Sequence, residues 1–177
     1  MARLGRAPRR KLPLARRSGS RARPQRLAAE LKAIPPRVGR GLFAGLAGTA
    51  AMTLASALEA KLRRRKPSSA PADAAGRLLG VRPCDEVSAA RFSRAVHWGY
   101  GTSWGAVRGL LGGAPLGASQ ASAAHFGLVW LTELVMLPGL GVTEPPWRWG
   151  AKELALDAMH HGVYAGTAGL AYARLAR

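Results

Sequence analysis

Three stretches of this chain run longer without a charged side chain than a helix in water usually does. Gly41 to Leu58 has no ionisable group at all. Gly109 to Thr132 has only His125, and Ala158 to Ala173 has no Asp, Glu, Lys or Arg but carries the pair His160 and His161. A hydrocarbon core about 30 Å thick takes roughly 20 helical residues. A helix of that length facing water shows a charged side, and these stretches show none. They are built of Gly, Ala, Leu, Ser and Thr, small residues that let helices approach closely inside a membrane. The expectation is an all-α, polytopic membrane helical bundle of about four transmembrane helices. A soluble bundle of buried Ala-rich helices is the alternative.

The charge is placed unevenly. Residues 1 to 40 hold thirteen of the 27 basic residues and a single acid, Glu30. Dense like charge with scattered proline predicts a disordered basic arm over residues 1–37, ahead of a four-helix transmembrane domain over 38–177. Helix-forming runs are expected at Val38 to Leu62, Phe92 to Leu111, Ala118 to Leu137 and Ala151 to Leu175. A short interfacial helix is expected near Pro71 to Leu79. The run Arg63 to Lys66 marks a membrane surface. Gly101, Gly105, Gly109 and Gly113 recur every fourth residue, a ridge for close packing, and Gly101, Gly105 and Gly109 are offered as a homo- or hetero-oligomer contact.

Six ionisable groups fall inside the expected spans near helix ends: Glu59, His97, Glu133, Asp157, His160 and His161. Because consecutive helices reverse direction, all six lie toward one face of the membrane, whichever way the chain is inserted. His125 lies about 12 Å further along its helix from Glu133. Asp157, His160, His161 and Tyr164 follow the spacing of a single helix face. Such groups are costly in a bilayer unless paired or wet. Three readings compete, ranked in this order: a polar network gluing the helices, a proton or small-solute path, and a metal or haem site. A di-iron bundle uses single carboxylates on two helices and Glu-x-x-His on the others. Glu59 and Glu133 suit the single positions and Asp157 with His160 one pair, but Arg94 stands where the second pair needs a carboxylate. No catalytic signature is present, no cofactor is predicted, and the lone Cys84 has no metal or disulfide pattern around it.

The segments His97-Trp98-Gly99-Tyr100-Gly101-Thr102-Ser103-Trp104-Gly105, His125-Phe126-Gly127 and His160-His161-Gly162-Val163-Tyr164-Ala165-Gly166 resemble uncharacterised small polytopic membrane proteins of bacteria, the group around the YagU-like inner-membrane family. The resemblance spans roughly residues 38 to 175. It implies a multi-pass location in the bacterial inner membrane and carries no activity with it. The expected partners are the lipid bilayer and, for the arm, anionic lipid headgroups. The arm has no aromatic residue to stack on bases, which argues against specific nucleic-acid binding. The N-terminus is expected on the cytoplasmic side, since translocating so many arginines is unfavourable. The functional expectation is a structural or interaction component of the membrane rather than an enzyme.

Overall fold

The computed structural model describes residues 19–66 and 68–177. Among the described residues all regular structure is helical: α1 Gly19–Leu62, α2 Ala70–Leu79, α3 Glu86–Leu111, α4 Ala118–Gly139 and α5 Ala151–Leu175, with a single 3₁₀ turn at Pro146–Arg148. The chain divides after Lys32, and every buried residue among those described belongs to the unit from Ala33 onward.

The expectation of a disordered arm over residues 1–37 needs correction from Gly19 onward, where α1 is already helical. Leu27 to Lys32 is a run of strong helix formers, and the helix continues through Pro35 and Pro36 despite their missing N–H donors. The first eighteen residues of the arm lie outside the described residues. The other helices end within two residues of expectation, and α2, α4 and α5 begin within one, whereas α3 begins at Glu86, six residues before the expected Phe92. Asp85 caps α3: its carboxylate accepts from the Ser88 N–H at 2.7 Å, while the Ser88 hydroxyl lies 3.1 Å from the Asp85 N–H. This reciprocal pair satisfies two otherwise orphaned groups, and it holds the Asp85 carboxyl below its ordinary value. Gly80, at φ 67°, closes α2 in the left-handed conformation, where a side chain would be strained.

The crossing of α1 and α3 is made of backbone. Gly41 and Gly45 of α1 meet Gly105 and Gly109 of α3 so closely that a Cβ on Gly45 would sit 2.7 Å from the Gly105 Cα. Gly101 faces the Thr49 side chain, and Gly113 lies under the Arg37 guanidinium. The glycines offered to a second chain by the sequence are therefore covered by α1 of their own chain, because only a helix without side chains at the crossing can approach this near. On the far side of α3, Tyr164 and Tyr172 of α5 donate hydroxyl hydrogen bonds to the carbonyls of Gly101 (2.6 Å) and Gly109 (3.3 Å).

The interior mixes apolar residues such as Ala44, Val129, Leu137 and Tyr164 with polar and charged groups, and many large apolar side chains stand outside. The largest fully buried side chains are Arg108, His125 and Thr49, and Glu59, His160 and His161 are buried as well. Outside, Leu42, Phe43, Leu46 and Leu54 of α1 and Leu131 and Val135 of α4 are exposed, Phe43 to 70% and Val135 to 74%. Two helices are long and apolar enough to cross a membrane, over Arg23–Leu62 and Ala118–Gly139. The helices α3 and α5 have comparable length, at 26 and 25 residues, but Arg91, Arg94 and Arg108 in the one and Lys152, Glu153 and Asp157 in the other lower their hydropathy.

Candidate functional site

The polar residues singled out in the sequence gather at one end of the helices, where α1 and α4 finish and α3 and α5 start, but they form separate groups. The tightest lies between α4 and α5. Asp157 and His161 are one turn apart on α5, as Trp130 and Glu133 nearly are on α4, so two side chains from each helix face each other. The Trp130 indole N–H donates to Asp157 Oδ2 at 2.8 Å. His161 pairs through Nε2 with Glu133 Oε2, and its Nδ1 lies 2.9 Å from the Asp157 backbone oxygen.

These contacts fix protons. A carbonyl oxygen only accepts, so His161 Nδ1 carries a hydrogen and donates it. Nε2 and the Glu133 carboxylate then share one further proton, either as an imidazolium with a carboxylate or as a neutral pair. His161 is 6% exposed, whereas Glu133 and Asp157 reach the surface at 22% and 24%. Chemically the group can hold α4 against α5, and it can exchange one proton. One donor atom each from Glu133, Asp157 and His161 also lies within 4.8 Å of the others, a set that suits a divalent cation.

The second group closes on Glu59. Arg63 and Arg65 both bond its carboxylate, Arg63 Nη1 and Arg65 Nε each at 3.1 Å from Oε1, with Arg65 Nη2 on Oε2. Arg63 also pairs with Glu153 at the start of α5, with Nη1 at 2.9 Å from Oε2. Arg64 takes a left-handed φ of 54°, uncommon for a residue with a side chain. That turn carries Arg65 back over the end of α1. The basic run read as a surface marker thus supplies the counter-charges for a buried acid.

His97 stands apart. Its Nε2 is 2.9 Å from the Thr53 hydroxyl, which in turn donates to the Thr49 carbonyl at 2.7 Å. Since the hydroxyl's one proton goes to Thr49, Nε2 is the donor to Thr53. His160 is buried and its Nε2 has no hydrogen-bond partner. The di-iron arrangement weighed from the sequence is therefore not assembled: Glu59 is bound by two guanidiniums, and it is His161 rather than His160 that meets the carboxylates. The helix period explains the exchange, because His161 is four residues from Asp157 and stacks directly over it.

Two residues escaped the sequence reading. Trp130 sits one turn before Glu133 on the same face, and that spacing was a usable signal. Arg108, which the sequence reading did not single out, is 2% exposed. It lies over the Tyr172 ring of α5, a contact that its place near a helix end did not signal. Comparison with protein families, with curated proteins and with solved structures finds no match to this chain.

Proposed function

We propose that the chain is a small integral membrane protein in which α1, α3, α4 and α5 all span the bilayer, and that it serves as a structural or interaction component of the cell membrane. The observation that carries this reading is the placing of charge and large apolar groups: arginine, histidine and threonine are the largest fully buried side chains, beside buried alanine, valine, leucine and tyrosine, and many large leucines, a phenylalanine and valines are exposed. In water the opposite arrangement is the rule, and in lipid polar groups turn to the bundle interior. The short α2 lies at the surface, with Leu78 and Leu79 exposed. Four spans place both termini on one side. The arginine-rich beginning of the chain favours the cytoplasmic side of a bacterial inner membrane, in line with the YagU-like resemblance, and anionic headgroups are the partner its charge suits.

Within this frame the Glu133–Asp157–His161 group is a polar clasp between α4 and α5. Its hydrogen bonds close on one another, as polar residues that glue membrane helices do. Reporter fusions at the two termini test the topology: the same cytoplasmic compartment for both is expected, and opposite compartments would refute four spans. The closeness of the three donor atoms favours one second reading, a bound divalent cation. Elemental analysis of the purified protein separates the two, since a clasp holds no stoichiometric metal and a cation site holds one ion per chain that is lost in His161→Ala.

A further inference from the structure

Toward the opposite end, the segments of the unit from Ala33 onward contain no acid. Residues 33–44, 106–126 and 166–177 include Arg37, Arg40, Arg108, Arg174 and Arg177 and not one Asp or Glu. Of these arginines Arg108 is buried, 2% exposed. Its guanidinium lies 4.5 Å from the centre of the Tyr172 ring, and a Cβ added to Gly169 would lie 3.9 Å from its Nε. Its Nε and Nη1 have no hydrogen-bond partner, and no ion pair among the described residues involves it.

A guanidinium keeps its charge under all ordinary conditions, so it cannot escape burial by losing a proton. The Tyr172 face offsets part of the desolvation, but a cation–π contact is weaker than the cost of burying an ion. Deeper in the bundle stands His125, one turn beyond Ser122 on α4 and fully buried. Its Nε2 lies 3.0 Å from the Trp104 carbonyl, so Nε2 holds the proton and Nδ1, also without a partner, offers a lone pair. That lone pair can take a hydrogen bond and cannot neutralise a charge. Arg108 stands in the last turn of α3, where the partial negative charge of a helix end favours a cation, and the start of α4, whose first turn carries no acid, presents partial positive charge against it. The segments around Arg108 supply the cation and its fork of donors, answered by helix-end dipoles but by no carboxylate of their own.

We propose that Arg108 is the centre of an oxyanion site between α3, α4 and α5, which takes a group of phosphate chemistry: the phosphodiester of an anionic lipid headgroup, or free phosphate. The planar guanidinium fork matches two phosphate oxygens. The depth suits a headgroup. Arg108 and Tyr172 each lie three residues from the last residue of their helices and Ser122 four from the first of its own, about 5 Å in at 1.5 Å per residue. The lipid source rests on the membrane reading above, and the free-phosphate source does not.

The experiment uses the full chain in a zwitterionic detergent. Wild type, Arg108→Gln and Arg108→Lys are loaded with mixed phosphatidylglycerol and phosphatidylcholine, washed in about 0.5 M salt to screen the exposed basic arm, and assayed for retained lipid by native mass spectrometry. A second arm replaces the lipid with inorganic phosphate and reads the shift in Tm. With a headgroup site, wild type retains phosphatidylglycerol selectively, Arg108→Gln retains it about tenfold less or worse, and Arg108→Lys, which keeps the charge without the fork, falls between. With a free-phosphate site the Tm of wild type rises with phosphate, that of Arg108→Gln does not, and lipid retention is equal in both. Wild type that neither retains phosphatidylglycerol nor responds to phosphate overturns the proposal without reference to any variant. So does equal retention by a folded Arg108→Lys and a folded Arg108→Gln. Lipid retention cannot be expected if the chain proves not to be a membrane protein, but the phosphate arm still reads the site.

Discussion

The two ends of the helical bundle handle buried charge in opposite ways. At the end holding Glu59, Glu133, Asp157 and His161, most ionisable groups are answered from within the chain: Glu59 by Arg63 and Arg65, Glu153 by Arg63, and His161 by Glu133. At the other end Arg108 is more deeply buried than any of them, and no ion pair among the described residues involves it. The first end, apart from the unpartnered His160 Nε2, is closed upon itself and holds helices together. The second is left incomplete by the sequence, since the segments that build it contain no acid. Burial alone therefore says little about a charged residue, and the presence or absence of a partner decides whether it is read as glue or as a site.

The largest effect is expected where the two ends are joined, at the α1–α3 crossing. Gly105→Leu forces a side chain into the backbone of Gly41 and Gly45 and should cost about 3 kcal/mol or more, or prevent folding. Gly99→Leu, whose added carbon meets nothing within 4 Å, should leave Tm close to wild type. Equal losses in the two would remove the crossing from the account.

The next test sets the ends directly against each other in zwitterionic detergent without added anion. His161→Ala strips the clasp and leaves Glu133 and Asp157 facing each other, for an expected loss of about 2 kcal/mol, less than for a fully buried pair because both carboxylates reach water. Arg108→Met removes an unpaired cation and keeps an apolar stem. It should be neutral, or stabilising by about 1 kcal/mol. Equal destabilisation of the two variants would show that Arg108 is already neutralised within the chain, and the contrast between the ends would fail.

Much of this architecture was legible in the sequence for identifiable reasons. Uncharged runs bounded by Pro, Gly and arginine located the ends of α4 and α5, and the four-residue glycine period located the face of α3 that meets α1. The reversal of successive helices placed the six polar candidates at one end. Partner choice was not legible. Whether His160 or His161 meets the carboxylates depends on a rotation of about 100° per residue around α5, and on which helix packs there. That Arg63 and Arg65 fold back onto Glu59 depends on the left-handed turn at Arg64, for which an arginine gives no signal. Arg108 was hidden by its nearness to a helix end, where a long basic side chain ordinarily reaches the surface.

The smallest effect concerns the cap of α3, outside the spans. The Ser88 N–H and hydroxyl hold the Asp85 carboxyl below its ordinary value of 3.8. A carboxyl lowered on folding adds stability that is fully present above the unfolded value and is lost as pH falls through the folded one. Wild type should therefore lose Tm relative to Asp85→Asn on acidification below about pH 4, with no difference in slope between them at neutral pH. Parallel curves throughout would mean that the cap contributes nothing to global stability.

The central proposal is that this chain is integral to a membrane. Expressed in bacteria, the full-length protein should remain in the membrane pellet through an alkaline carbonate wash and leave it only with detergent. Release by carbonate as a folded, soluble monomer would contradict the account.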